Sequence, residues 1–193
     1  MRQQWRHANW ASPYAAYKCI DMALVYINYG DRSANTEAFC CGEAELDTFI
    51  REQAGEFVAK GLSAVTLLIE EDTGEVYGFY AIPPYSRDGR ALREEQRKYF
   101  HVDFAIPAWK IGELAIDKKY QRSKDNKENK RYGSILLQEA IRDIQNRAAG
   151  GAGALIFVDA INKRVKKFYK KFGFTSIPNT SNQMARPLAE QVD

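Results

Sequence analysis

Leu114-Ala115-Ile116-Asp117, then a charged loop over residues 118–131, then Tyr132-Gly133-Ser134: this stretch decides how the chain is read. It predicts a strand, a basic loop and a glycine at the start of a helix. The strand region runs from about Trp109 to Asp117, and Gly112 inside it predicts a bulge or a close backbone approach. In the helix, Ile135, Leu137, Ile141, Ile144 and Ala148 keep one apolar face, and Gly150-Gly151-Ala152-Gly153 ends it. The N–H groups at a helix start have no partner within the helix, so they form an anion site. A glycine there lets a phosphate come close to the backbone. An ordinary surface loop with a glycine at its turn fits the same residues, and local spacing does not choose.

Working outward, Glu43–Lys60 predicts an amphipathic helix through Leu46, Phe49, Ile50, Phe57 and Val58, with Gly61 as its stop. Ser63–Glu70 and Glu75–Ile82 predict two strands joined by the hairpin turn Glu71-Asp72-Thr73-Gly74, and Pro83-Pro84 ends the second. Residues 85–100 read as charged and irregular, with a short helix in Ala91–Phe100. Ala154–Val158 reads as a strand buried on both faces, as in parallel sheets. A last helix, Asn162–Phe172, carries Val165, Phe168, Tyr169 and Phe172 on one stripe, and a weaker strand follows around Gln183–Leu188. Residues 1–38 are polar and aromatic-rich, with one candidate strand around Tyr17–Tyr29. No repeat and no domain-scale linker interrupts the chain, so the expectation is a single mixed α/β domain over residues 39–193, preceded by a strand-bearing arm over 1–38.

Composition narrows the function classes. With 193 residues, 45% hydrophobic and 27% charged, the chain is long enough for one well-buried domain and is not of disordered composition. Its uncharged stretch Ala148–Val158 is too short to span a bilayer, and no apolar run follows the N-terminal charges, so neither a membrane span nor a secretory signal is expected. Three cysteines, two of them adjacent at Cys40 and Cys41, fit reduced thiols in a cytoplasm better than a disulfide framework. Ligand count and spacing exclude a zinc site. Cys40 and Cys41 precede a helix, but no His motif accompanies them as a cysteine hydrolase or arylamine-type transferase would need.

The segment Asn162-x-x-Val165-x-x-Phe168-Tyr169-x-x-Phe172-Gly173-Phe174 carries the other candidate chemistry. A tyrosine on an apolar helical stripe is a core residue with its hydroxyl at the edge, or an acid able to protonate a leaving thiolate. Together the two constellations resemble the GNAT superfamily of acetyl-CoA-dependent N-acetyltransferases. The family pattern N-x-x-A-x-x-[FL]-Y-x-x-x-G-F is matched except that Val165 replaces alanine, and Pro107-x-x-x-x-Gly112-x-Leu114-Ala115-Ile116-Asp117 looks like its central strand. Phe39-Cys40-Cys41-Gly42-Glu43-Ala44-Glu45-Leu46-Asp47-Thr48-Phe49-Ile50 is similar to the F-x-C-G-x-x-x-L-D-x-F-L opening of a bacterial branch that contains toxins acetylating aminoacyl-tRNA. Two departures stand out. An insertion, Ser123 to Arg131, separates Gln121-Arg122 from Tyr132-Gly133, with Arg131 where the family has a glycine. Glu113 stands where the toxin branch carries arginine.

The resemblance implies a mixed α+β fold: a central mixed sheet of about six or seven strands with a splayed bulge, flanked by helices on both faces. It implies acetyl-CoA as cosubstrate with no metal, and direct attack by a primary amine. Leu114, Ala115 and Ile116 would offer backbone N–H groups to pantetheine and the thioester. Gln121, Arg122, Arg131, Tyr132, Gly133 and Ser134 would receive the pyrophosphate, and Asn162 and Phe168 would complete the cofactor contacts. Tyr169 would be the acid and Glu113 a candidate base. An aminoacyl-tRNA, small amine or peptide would be the acceptor, with a ribbon-helix-helix antitoxin and a second copy of the chain as further partners.

Charge supplies the competing reading, a non-catalytic nucleic-acid-binding module. Net charge is only +3, yet residues 118–132 carry +5 and residues 163–171 carry +6, leaving −8 on the remainder. Such polarisation draws polyanions to two segments.

Overall fold

The computed structural model describes residues 24–31, 34–92, 94, 105–122, 131–149 and 151–188. Most of the expected N-terminal arm, the short helix expected in 91–100, most of the 123–131 insertion and both histidines lie outside them. Nine strands and four helices are described: β1 (Leu24–Asn28), α1 (Ala44–Thr48), α2 (Ala54–Ala59), β2 (Ala64–Glu70), β3 (Val76–Ile82), β4 (Pro84–Asp88), β5 (Ala105–Ile111), β6 (Glu113–Ile116), α3 (Tyr132–Arg147), β7 (Leu155–Asp159), α4 (Lys163–Lys170), β8 (Thr175–Ser176) and β9 (Gln183–Pro187). A π-helical turn, Phe49–Gln53, joins α1 to α2, so the expected helix over 43–60 is one rod with a bulged middle.

The expected mixed sheet is split in two. One sheet has the order β1-β2-β3-β6, antiparallel throughout. The other has the order β4-β5-β7-β9-β8 and contains the parallel pair β5–β7. The chain passes between them at Pro83 and at Gly112. The single strand expected over 109–117 is therefore two strands, β5 and β6. The stretch after Pro83, expected to be irregular, contains strand β4, which pairs with β5 from Pro84↔Trp109 to Asp88↔Ala105. Pro84 opens an edge strand, where its missing donor costs no ladder bond. The segment read as an arm supplies β1, which pairs with β2.

Gly112 marks a change of phase. Trp109 and Ile111 join the core under α3, and so do Leu114 and Ile116, whereas strict alternation would have placed Glu113 there. Ala81 faces Glu113 in the ladder and also accepts the Gly112 N–H at 3.0 Å, the two-against-one pairing of a β-bulge.

Three cores follow from this layering. β3 is buried along its whole length because helices cover both of its faces. Leu136, Leu137 and Ile144 of α3 are fully enclosed against it, each burial contributing about 1.5–3 kcal/mol. On the other face Phe49, Ile50 and Ala54 of the α1–α2 rod meet Phe39 and Phe79. A third core lies under β4, β5, β7 and β9, around Ile106, Leu155, Phe157 and Ala185. Among the described residues no helix is long and apolar enough to cross a membrane.

Candidate functional site

A cleft of about 790 Å³ opens between β6 and α4. β6 is the last strand of its sheet, so one of its edges has no strand partner. Asp117 donates its N–H to Tyr77 O at 3.0 Å, and donors alternate along an antiparallel strand. Ala115 N–H therefore turns toward β3, while those of Leu114 and Ile116 turn to the free edge.

At one end of the cleft, α3 begins without a side-chain cap and with no acidic residue in its first turn. Arg131 O accepts from Ser134 and Ile135, which leaves the N–H groups at the very start of the helix for an anion. A Cβ on Gly133 would meet nothing closer than Ile116 Cγ1 at 4.0 Å, so the backbone there is open to approach. Three aromatic rings fix the approach to this helix. Tyr120 stacks on Tyr77 of β3 at 3.5 Å between centroids and 7° between planes, and Tyr132 meets Tyr77 edge-on at 5.5 Å.

Every residue singled out from the sequence for cofactor contact lines this cleft: Leu114, Ala115 and Ile116 of β6, Gln121 and Arg122, Arg131 to Ser134, and Asn162 and Phe168. Two of them have other duties. Gln121 Nε2 donates to Cys41 O and Ile116 O, both at 2.8 Å, and so ties the loop to β6 and to the start of the α1 segment. Asn162 Oδ1 caps α4, accepting from Val165 N–H at 2.9 Å. Tyr169 and Glu113 do not line the cleft. The stripe read as core divides instead: Val165, Phe168 and Phe172 are half-buried at the cleft wall, while Tyr169 is turned inward against Phe174, 6% exposed.

Burial, helped by the charge of Asp159, pushes the Tyr169 phenol up to about 12. Burial likewise raises the Glu113 carboxyl, with Lys110 opposing it. Burial pushes the Cys41 thiol up to about 12, which makes it a structural thiol despite its place at the cleft. The cleft residues that sequence reading missed include Tyr120, Ile161 and Arg164. Of these only Arg164 carried a signal, as a cation on the last helix. Among the described residues no three His, Cys, Asp or Glu side chains stand together as metal ligands.

No family model matches the chain. It is 26% identical over 159 residues to the probable toxin TacT of Sinorhizobium fredii (strain NBRC 101917 / NGR234), a match spanning 79% of this chain and 84% of that protein. It is 29% identical over 147 residues to a tRNA-acetylating toxin of Mycobacterium tuberculosis (strain ATCC 25618 / H37Rv), spanning 73% and 78%. Over most of its length the chain is thus similar to toxins of the tRNA-acetylating kind. β5 stays paired with β7 as far as Ile111↔Val158, and beyond Gly112 the chain continues as β6 in the other sheet, beside the cleft. Solved toxin structures superpose on most of the chain and share its fold. AtaT complexed with acetyl-methionyl-tRNAfMet matches with a TM-score of 0.72 at 21% identity, over 85% of this chain and 94% of that one. A tyrosine-to-phenylalanine mutant of AtaT, bound to acetyl-CoA and the C-terminus of the antitoxin AtaR, matches with a TM-score of 0.66 at 20% identity, over 86% and 93%.

Proposed function

We propose that this protein is a GNAT-type acetyltransferase that transfers the acetyl group of acetyl-CoA to the amino group of an aminoacyl-tRNA. The observation that carries the reading is a single cleft joining the uncapped start of α3 to the outward N–H groups of Leu114 and Ile116. A diphosphate and a thioester carbonyl both need donors of this kind, and one extended cofactor would engage them together. The donor set fits acetyl-CoA, which supplies the thioester when bound.

On this reading the N–H groups at Tyr132 and Gly133 take the pyrophosphate, with Arg122 and Arg131 at the two ends of the inserted loop adding charge. Leu114 and Ile116 polarise the thioester carbonyl from the free edge of β6. Phe168 and Phe172 give pantetheine an apolar wall. The acceptor attacks as a neutral amine, so its ammonium must first lose a proton, and Glu113 is the candidate to take it. Tyr169 keeps its proton at neutral pH and gives it to the departing thiolate. Much of the acceleration then comes from holding two substrates together.

The tRNA acceptor is supported by the relatives and by α4, where Lys163, Arg164, Lys167, Lys170 and Lys171 are exposed beside the cleft. Residues 1–38 and 39–193 act on this reading as one unit, in a cytoplasm where charged tRNA is found. A small antitoxin is the expected protein partner, as AtaR is for AtaT.

The test is acetyl transfer. Purified protein with labelled acetyl-CoA is expected to acetylate charged tRNA in preference to polyamines or peptides. Absence of acetyl-CoA binding at millimolar ligand, together with salt-sensitive tRNA binding, would establish the non-catalytic module instead.

A further inference from the structure

A second polar group stands at the splay, on the sheet face turned away from α3 and α4. Tyr85, Lys110, Asp159 and Gln183 share this face with Ile106 and Phe157 of the third core. Lys110 Nζ lies 2.6 Å from Asp159 Oδ2 and 5.7 Å from the Tyr85 ring centroid. Gln183 Nε2 donates to Tyr85 Oη at 3.1 Å, which turns Gln183 Oε1 the other way.

Two acceptor oxygens are left over. Gln183 Oε1 is enclosed and has no hydrogen-bond partner. Asp159 uses Oδ2 for Lys110, and its side chain is 43% exposed, so Oδ1 stays open to an incoming donor. Asp159 and Gln183 are registered opposite one another across β7 and β9, so their side chains are immediate neighbours. A carboxylate oxygen beside an amide oxygen calls for one donor with several N–H bonds. Two oxygens are too few for Ca²⁺ or Mg²⁺, which want six or more, whereas an ammonium offers three donors at once.

The place suits a substrate. Ile111↔Val158 is the last pair of the parallel strands, and beyond it β6 turns away at Gly112. In open α/β sheets ligands gather beyond the carboxyl ends of diverging parallel strands. Lys110 and Asp159 are at those ends, Glu113 is just past the bulge, and Tyr169 lies on the opposite face, close enough to feel the charge of Asp159.

We infer that Asp159 and Gln183 dock the acceptor's primary ammonium across the splay from the cofactor cleft, with Lys110 holding the carboxylate in place. This inference rests on the proposed transfer reaction and names how its second substrate is held. Asp159 and Gln183 touch the substrate and orient its nitrogen, Lys110 is the positioning residue behind Asp159, and the proton leaves afterwards to Glu113.

The experiment first establishes that the unmodified protein binds acetyl-CoA by calorimetry and acetylates charged tRNA; without transfer the proposed function falls and the dock falls with it, whereas transfer with the outcomes below that overturn the dock leaves the proposed function standing. With transfer in hand, Asp159→Asn is expected to raise KM for charged tRNA by roughly tenfold or more, as loss of a charge-assisted hydrogen bond implies. Its Kd for acetyl-CoA should stay within about twofold, and Asp159→Glu should recover part of the loss, with Gln183→Leu milder than Asp159→Asn. An unchanged acceptor KM, or an equal loss of acetyl-CoA affinity, overturns the dock. Should the variants misfold, competition on the unmodified protein decides. A tRNA carrying the α-hydroxy analogue of the amino acid is expected to inhibit the transfer at least about tenfold less well than the corresponding aminoacyl-tRNA competes; equal competition by the hydroxy and amino forms overturns the proposal.

Discussion

Asn162 Oδ1 accepts the backbone N–H of Val165 at 2.9 Å, and with that bond it starts α4 rather than reaching toward a ligand with its oxygen. The GNAT pattern places an asparagine here beside the cofactor, and the cleft does run past it. Its first duty is nevertheless to satisfy a helix donor. Replacing an N-cap asparagine by alanine costs about 1 kcal/mol. Asn162→Ala is therefore expected to lower Tm by roughly 2–4 °C in a protein of this size, while Asn162→Asp keeps the cap and most of the stability. Calorimetric melting of the three proteins checks this. Equal melting of the alanine and aspartate variants would sink the capping role.

Tyr169 is enclosed, and its phenol is pushed up to about 12 by burial and by Asp159. It stays protonated throughout the range where proteins are assayed. Tyr169→Phe is expected to lower kcat by roughly 10²–10⁴-fold, the usual worth of a general acid, with acetyl-CoA affinity nearly intact. The unmodified enzyme should show no falling alkaline limb below about pH 10, because the acid has not begun to ionise there. A limb descending near neutrality would assign the proton to another group.

The Asp47 carboxylate accepts Cys41 N–H at 2.7 Å and joins the start of the α1 segment to the helix itself. Burial works to raise the Asp47 pKa, but the hydrogen bonds from Cys41 and its neighbours outweigh it and the net shift is downward. A carboxyl lowered on folding contributes stability that is present above the unfolded value, about 3.9, and is lost as the pH falls through the folded one. Asp47→Asn is accordingly expected to destabilise the protein by about 1–3 kcal/mol at pH 7. The gap between the two proteins should narrow as denaturant unfolding is repeated below about pH 4. A gap independent of pH would show that ionisation of Asp47 contributes nothing.

Gly78 sits where α3 and β6 press on β3. A Cβ there would lie 2.5 Å from Ile116 Cδ1 and 2.7 Å from the backbone oxygen of Ala115. The side chain can rotate away, but the main-chain oxygen can move only with β6. Gly78→Ala is expected to cost about 1–3 kcal/mol and to weaken acetyl-CoA binding, since β6 carries the outward donors. Full stability with full acetyl-CoA affinity would contradict the close packing.

The exposed cations of α4 should be read in salt titrations. Each phosphate contact removed lowers the slope of log K against log salt by about 0.7–0.9. Lys167→Ala with Lys170→Ala is expected to reduce the slope for tRNA by about 1.5 and to leave acetylation of a small amine unchanged. An unaltered slope would place the tRNA elsewhere.

Much of the fold was legible in the order of residues. The stripe from Ile135 to Ala148 announced α3, and Ala154–Val158 announced β7, because each repeats at the period of its own backbone. Gly112 announced the bulge. β4 was not legible: Pro84-Tyr85-Ser86-Arg87-Asp88 has neither apolar alternation nor length, and it is a strand only because β5 lies alongside it. The division between β5 and β6 was hidden for the same reason, since sheet membership depends on which distant strand comes to pair. The cleft itself was legible as a set of residues. What each of them does there was not: Gln121 is spent on the carbonyl of Cys41, 80 residues away in the chain, and Tyr169 is buried while its helical neighbours form the wall.

By itself, then, the sequence determined the periodic elements, the glycine that leaves a helix start open, and the concentration of positive charge on two segments. These are short-range properties, set by backbone geometry and by residue type. Only the tertiary structure decided which N–H groups of β6 face the free edge, which polar side chains are already bonded, and which oxygens at Asp159 and Gln183 are left over. Those depend on pairing between strands far apart in sequence, and a donor or acceptor is free only once every distant neighbour has taken its place.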